Sequence, residues 1–309
     1  MSHTDSLPRR RANAGRHSLS GTLERVLPRL VVAPSLAVAL FFVYGYMLWT
    51  FILSLTSSGM LPRYDFVGFA QYARLFANER WNVAATNLVI FGGLFIVICL
   101  FIGLMLAILL DQRIRQEGVL RTIYLYPMAL SLIVTGVVWR WILNPGLGIE
   151  SLVRGWGFED FTFDWLVNPD MAIYALVIAA VWQASGFVMA LFLAGLRSID
   201  DSLFKAAALD GASLVKVYWR IVIPCLRPVV FSAVMILAHI AIKSFDLVMA
   251  LTGGGPGYAT DLPATFMYAY TFTRGQIGLG SASAIMMLAG VLAILVPYLY
   301  SELRGRKHG

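Results

Sequence analysis

The sequence predicts an all-α integral membrane protein with six transmembrane helices, and three observations carry that prediction. Apolar residues make up 59% of the 309-residue chain and charged residues only 13%, against about 25% charged in an ordinary soluble domain. The apolar residues gather into six stretches, each close to or above the roughly 20 residues that a helix needs to cross a hydrocarbon core about 30 Å thick. Basic residues then alternate between dense and sparse from one connecting loop to the next, the charge pattern of a multi-span protein. Lipid offers no partners to backbone groups, so these runs read as helices.

In chain order the spans run Leu30–Leu55, Ala84–Leu110, Leu120–Leu143, Met171–Leu196, Ile221–Leu251 and Leu279–Tyr300. Pro34 and Pro127 fall inside the first and third, where neighbouring helices can re-satisfy the freed carbonyls. The N-terminal segment carries Arg9, Arg10, Arg11, Arg16, Arg25 and Arg29. Arg113, Arg115 and Arg121 follow the second span, and Arg197, Lys205, Lys216, Arg220 and Arg227 follow the fourth. Arg304, Arg306 and Lys307 close the chain, while the alternate loops hold only Arg63, Arg74, Arg80, Arg154 and Arg274. Basic loops resist translocation, so both termini are placed in the cytoplasm. Residues Met1–Gly21 lack an apolar core and read as a disordered tail, not as a cleaved signal. The resulting division is a cytoplasmic tail over 1–29, a transmembrane domain over 30–303 and a short cytoplasmic tail over 304–309.

Several function classes drop out. The net charge of +7 is spread over four cytoplasmic borders, which topology alone explains, so no nucleic-acid partner is expected. Cys99 in mid-span and Cys225 at an inner border are too few and too far apart in setting for a disulfide framework or a metal site. His3, His17, His239 and His308 contain no H-E-x-x-H pair. Two S-x-x-K matches, Ser202–Lys205 and Ser213–Lys216, share one loop without S-D-N or K-T-G partners and carry no catalysis. There is no G-x-x-x-x-G-K-[ST] and no Gly-Lys dipeptide, so no ATP, magnesium or other cofactor is expected on this chain. The glycine run Gly253–Gly257 has a proline in its middle and no lysine, and reads as a turn at the outer border.

The informative interruption is "KAAALDGASLVKVYWRIVIP", Lys205–Pro224. Asp200, Asp201 or Ser202 can cap a short helix through Ala208 or Leu209. Gly211 permits a sharp turn, and a second helical piece from Ala212 leads into the fifth span at Pro224. A plain interfacial amphipathic anchor is the alternative, but it would need no fixed spacing between glycine and proline. The segment resembles the cytoplasmic signature of ABC importer permeases, E-A-A-x-x-x-G, nine residues, then I-x-L-P. Ala206, Ala207, Gly211, Ile221 and Pro224 stand at matching separations, and Asp210 with Ala212 gives the D-G-A form of sugar-uptake members. "LAGLRSID" (Leu193–Asp200), "LTGGGPGYAT" (Leu251–Thr260) and "FVGFAQYARLF" (Phe66–Phe76) extend the likeness, so the chain is similar to the carbohydrate-uptake permeases, binding-protein-dependent inner-membrane components of the maltose or glucose type. Ile223 replaces the usual Leu, a near volume-conserving exchange. Lys205 replaces the usual Glu and reverses a charge; a Glu on the partner permease would restore the family's ion pair.

The resemblance implies a six-helix permease in the bacterial inner membrane, paired as a heterodimer with a second permease. Two separate ATPase subunits would hydrolyse ATP with magnesium, and an extracytoplasmic solute-binding protein would deliver the sugar, docking in part on the 144–170 loop. The coupling segment, about 199–220, would press Leu203, Phe204, Lys205, Ala206, Ala207, Asp210, Gly211 and Ala212 against the ATPase like a ball in a socket, with Leu209 and Leu214 as further apolar filling. Closure of the ATPases would then move the permeases between inward-open and outward-open states. The rival from another class is an ATP-independent secondary transporter or channel, and an intramembrane enzyme is more distant.

Charged side chains at a span centre cost roughly 2.5–3.5 kcal/mol on insertion scales, so His239, Lys243 and Asp246 in the fifth span stand out. Spaced four and three apart, they share one face of a continuous helix, and Lys243 can pair with Asp246 as a purely structural ion pair. By the resemblance, the helices before "LTGGGP" and before "LAGL" line the central path. That implies Lys243 and Ile242 on the fifth span, Gln183, Ala184 and Phe187 on the fourth, and Met128 and Leu132 after Pro127 on the third; the shared helical face adds His239 and Asp246 as candidates, and Trp182 adjoins Gln183. Gln183 and Lys243 suit sugar hydroxyls, and Phe187 suits the C–H face of the ring. Trp182 suits stacking or the lipid boundary equally. Glucose, mannose or a similar sugar is the implied cargo, or an anionic one such as glycerol phosphate if Asp246 leaves Lys243 unneutralised. Arg140, between Trp139 and Trp141, reads as an interface anchor.

Overall fold

The computed structural model describes the backbone of residues 17–61, 63–112 and 115–305, and the side chains within 31–300 apart from 62, 113, 114, 214, 298 and 299. In chain order the helices are α1 (His17–Ser54), α2 (Ala70–Phe76), α3 (Glu79–Asp111), α4 (Glu117–Ala129), α5 (Leu132–Ile142), α6 (Gly148–Gly155) and α7 (Ala172–Arg197). They continue with α8 (Asp201–Leu209), α9 (Leu214–Val217), α10 (Ile223–Cys225), α11 (Arg227–Ile242), α12 (Asp246–Leu251), α13 (Pro263–Tyr268) and α14 (Ile277–Gly305). Wide π turns at Tyr218–Val222 and Ala269–Thr273 join α9 to α10 and extend α13. Among the described residues the extended structure amounts to one antiparallel bridge, Thr56 to Phe66. The chain divides into two compact units at Thr50 and Phe51. The first, as far as it is described, is most of α1, and the second holds all that follows.

Helix α1 begins at His17, inside the segment expected as a disordered tail. Residues 1–16 and 306–309, which hold the rest of the two tails, lie outside the described residues, as does the side chain of Leu214.

Four helices are long and apolar enough to cross a membrane unaided: Val31–Ser54, Glu79–Asp111, Ala172–Arg197 and Ile277–Pro297. Two bent pairs add a crossing each when taken as one span, Glu117–Ala129 with Leu132–Ile142 at 99° and Val215–Cys225 with Arg227–Ile242 at 63°. Counted in that way, the described residues hold up to six crossings. The second, fourth and sixth helices match the expected spans within a few residues, whereas the third and fifth, expected to be continuous, are broken.

Each break has a local cause. Pro127 has no N–H to donate and sits in the last turn of α4, after which Leu130 and Ser131 are extended, with ψ of 146° and 147°. The Ser131 hydroxyl then accepts the Val134 N–H at 3.3 Å and caps α5. The 63° bend of the second pair falls at Leu226, just before Pro228 in the first turn of α11. A further interruption follows where α11 stops at Ile242, and Lys243 adopts φ −91° and ψ 7°. Ser244 closes that end, its Oγ donating to the Ile240 carbonyl at 2.8 Å and its N–H to the Ala241 carbonyl at 3.2 Å. The chain becomes helical again only at Asp246.

Helix α3 packs along α7 to form the centre of the second unit, with α4 and α11 laid against this pair. Small residues set the distances, as they do where helices meet in lipid. A Cβ on Gly103 would lie 2.6 Å from Val188 Cγ1, and one on Gly186 would overlap the Tyr124 carbonyl. The glycine run after α12 is the turn its composition implied. A Cβ on Gly254 would lie 2.7 Å from Asp261 Oδ1, and Asp261 fixes the loop to α3. Its carboxylate is paired with Arg80 and accepts the Thr265 hydroxyl at 3.0 Å. Asn87 Nδ2 donates to the Ala259 and Asp261 carbonyls at 2.9 and 3.0 Å, and the Arg80 guanidinium lies 4.3 Å above the Tyr258 ring.

Candidate functional site

The break at Leu130–Ser131 and the interruption at Lys243–Phe245 open onto one cavity of about 260 Å³ against the middle of α7. From the sequence-derived set, Gln183, Ala184 and Phe187 line it from α7, Met128 and Leu132 from the first break, and Lys243 from the second. Phe95, Ala180, Leu130, Ile240, Ser244 and Leu247 complete the wall. Sequence reasoning did not single these out; Ser131 and Ser244, helix stoppers in the middle of apolar runs, were the signals that would have located the breaks and so the cavity.

Gln183 connects the fold to the cavity chemistry. It is buried, at 8% exposure, and its Nε2 donates to the Leu130 carbonyl at 2.8 Å, a carbonyl that the break has released from helical bonding. Its Oε1 is buried with no hydrogen-bond partner among the described residues. Lys243 is exposed and takes part in none of the ion pairs formed among the described residues.

The Lys243–Asp246 pair expected from their spacing therefore does not form, and the expectation is corrected. A spacing of three brings side chains together only on an unbroken helix. Here Lys243 ends α11 and Asp246 begins α12, with non-helical backbone between them. The remaining expected residues lie elsewhere. His239 and Ile242 line a separate apolar groove of about 430 Å³ between α11 and α14. Trp182 stands edge-on to Trp139, ring centroids 5.9 Å apart. Asp246 is exposed outside the cavity. Among the described residues no group of three metal-ligating side chains converges.

The second feature is the loop after α7. Asp200 caps α8, its Oδ1 accepting the Ser202 N–H at 2.8 Å, and that backbone hydrogen bond, helped by the Ser202 side chain, holds the carboxyl below the ordinary carboxylate range. The helix ends at Leu209 in a Schellman arrangement, with Gly211 N–H donating to Ala208 O at 3.1 Å and Ala212 N–H to Ala207 O at 3.0 Å. Gly211 supplies the required left-handed residue at φ +67°. Phe204, Ala207 and Ala212 pack on the helical core. The opposite face, with Leu203, Lys205, Ala206, Leu209 and Asp210, is exposed, Leu209 to 90%.

Two ion-pair groups unmarked in the sequence brace the ends. Arg197, at the end of α7, meets Glu117 Oε1 at 2.7 Å and Asp111 Oδ1 at 3.7 Å, joining the ends of α3 and α4 to the root of α8. In the 144–170 loop, buried Glu150 accepts the Phe163 and Gly146 N–H groups, both at 3.1 Å, and pairs with Arg154 at 2.7 Å. The Phe163 and Gly146 hydrogen bonds, with the Arg154 charge, hold its carboxyl below the usual range although burial acts in the other direction.

The family described as binding-protein-dependent transport system inner membrane component matches residues 100–305. A probable ABC transporter permease of Pyrococcus horikoshii is 38% identical over 280 residues, covering 90% of this chain and 96% of that protein. The xylose/arabinose import permease of Haloferax volcanii is 40% identical over 265 residues, 84% of this chain and 83% of that one. A chain of a bacterial alginate ABC transporter, solved in complex with an alginate pentasaccharide-bound periplasmic protein, superposes with a TM-score of 0.77 over 90% of this chain and 94% of that one. Its 21% identity makes the likeness one of fold. Interrupted apolar helices around a common cavity, a capped helix closed by Gly211 and these matches lead to one conclusion: the chain belongs to the binding-protein-dependent inner-membrane components, the permease subunits of carbohydrate-importing ABC transporters.

Proposed function

We propose that this permease forms half of a translocation path in the bacterial inner membrane, with both termini cytoplasmic and a second, different permease supplying the other half. The observation that best supports this reading is the convergence of Gln183, Phe187, Lys243, Met128 and Leu132 on one cavity at two helix breaks. Non-helical backbone at membrane depth is tolerated where it lines a protein-enclosed or wet cavity, and it brings polar groups to the path there. Gln183 meets a sugar hydroxyl and Phe187 a sugar C–H face. A solute-binding protein delivers the cargo, as a periplasmic protein accompanies the alginate transporter.

The chain itself performs no catalysis. Two ATPase subunits bind and hydrolyse ATP with magnesium and act on the coupling segment, about 199–220, through the exposed face of α8. The tails over 1–29 and 304–309 flank the transmembrane domain over 30–303. Glucose or mannose would satisfy Gln183 and the apolar wall. An ATP-independent transporter has no use for a capped α8 that exposes Leu203 and Leu209 beside Lys205 and Asp210, and the family membership does not favour it.

The test is uptake of labelled carbohydrates into proteoliposomes holding the complete complex. ATP-dependent uptake that falls at least tenfold in Gln183→Leu, with the complex still assembled, is expected. Uptake that proceeds without the ATPase subunits would overturn the reading.

A further inference from the structure

We infer that the carbohydrate passing this cavity carries an anionic group, a carboxylate, sulfonate or phosphate, which Lys243 receives while Gln183 accepts a neighbouring hydroxyl. The inference rests on the transport role proposed above and narrows its cargo.

Gln183 has a defined orientation. A carbonyl can only accept, so the Leu130 carbonyl at 2.8 Å fixes which end of the amide is NH₂, and Oε1 is the acceptor left over. That atom is buried without a partner among the described residues. A buried acceptor left unmade is costly, and a hydroxyl from the cargo removes the cost.

Lys243 presents the complementary problem. An exposed ammonium that a bound cargo shuts off from water requires a counter-charge, and the cavity wall of Phe187, Met128 and Leu132 supplies none. Asp246 stands beyond the break, and no acidic side chain lines the cavity; the acids that form ion pairs among the described residues are engaged with other bases, Asp261 with Arg80, Glu150 with Arg154, Asp111 and Glu117 with Arg197. A neutral hexose would satisfy Gln183 and leave Lys243 desolvated without a partner; a sugar acid satisfies both. The ammonium is a point charge that does not demand the planar fork of a carboxylate, so one site serves all three anionic groups.

The test uses the complete complex in proteoliposomes, with labelled glucuronate, an oligouronate, 6-deoxy-6-sulfoglucose, glucose 6-phosphate, glucose and mannose as probes. Uptake of an acidic probe in preference to glucose and mannose is expected, and the acidic probe that is carried identifies the anionic group. Lys243→Met should lower that uptake about ten- to a hundredfold, the range of one charge-assisted hydrogen bond, and Lys243→Arg should restore part of it. Preferential uptake of glucose or mannose, or wild-type uptake of the acidic probe by Lys243→Met, would overturn the inference and leave the transport role standing. Loss of the second permease from the purified Lys243→Met complex would show that Lys243 pairs across the subunit interface, and would overturn it too. No ATP-dependent uptake of any probe would count against the transport role itself.

Discussion

Replacing Gly211 should weaken the grip of the ATPase without unfolding the permease. Gly211 sits at φ +67°, and no atom lies within 4 Å of the position a Cβ would take. The cost of a side chain is therefore backbone strain alone, about 1–2 kcal/mol for a left-handed L-residue. At about 1.4 kcal/mol per factor of ten, roughly five to thirty times fewer chains hold the native turn. The hydrogen bonds Gly211 N–Ala208 O and Ala212 N–Ala207 O, which close α8, are lost with it. Gly211→Ala should carry this cost even though open space surrounds the site, Gly211→Val more because a β-branched side chain clashes with its own backbone at positive φ, and Gly211→Asn, which tolerates left-handed backbone, less. The assay is co-purification of the ATPase with tagged permease, alongside ATP-driven uptake and membrane abundance. ATPase occupancy and uptake at wild-type level in both Ala and Val variants would refute the reasoning.

Other consequences follow from close contacts and charges. Gly186→Ala forces a methyl into the Tyr124 carbonyl; overpacking of this kind costs about 1–3 kcal/mol or more, so membrane abundance and thermal resistance in detergent should drop. Gly93→Ala, with nothing within 4 Å, should leave both unchanged. Arg80→Met strands the Asp261 carboxylate, 1% exposed, and should destabilise the fold by about 3–5 kcal/mol, read as an earlier unfolding midpoint that Asp261→Asn in the same chain partly restores. Glu150 has its carboxyl held low by the Phe163 and Gly146 N–H groups and Arg154. Its stabilisation of the 144–170 loop is thus complete above the unfolded value of about 4.3 and lost as pH falls through the lower folded value. Protease resistance of the loop should follow that curve, and Glu150→Gln should flatten it.

What could be read from sequence was what is local. Helices α3, α7 and α14 announce themselves as unbroken apolar runs, and α8 as an Asp cap followed by a glycine at the right interval. The breaks at Leu130–Ser131 and Lys243–Phe245 were hidden because apolar content measures how much chain can enter lipid, not whether its backbone stays helical. That error carried into the site: the assumption of a continuous fifth helix created the Lys243–Asp246 pair, and the break removes it. Contacts such as Gln183 to the Leu130 carbonyl and Arg80 to Asp261 join residues 53 and 181 positions apart, and no pattern along one chain encodes them. Lys243 and Gln183 were still recognisable as polar side chains that an apolar run had to have some reason to keep.

The central claim, that ATP-driven work enters through α8, is tested most directly by a single-cysteine scan of residues 203–212 in the assembled complex, crosslinked to cysteines on the ATPase. The account predicts crosslinks from the exposed positions Leu203, Lys205, Ala206, Leu209 and Asp210, changing in strength when ATP is added, and none from Ala207, which is buried against the permease core. Labelling of the same positions by lipid-phase reagents, with no crosslink to the ATPase anywhere along the scan, would make α8 an interfacial anchor and contradict the account.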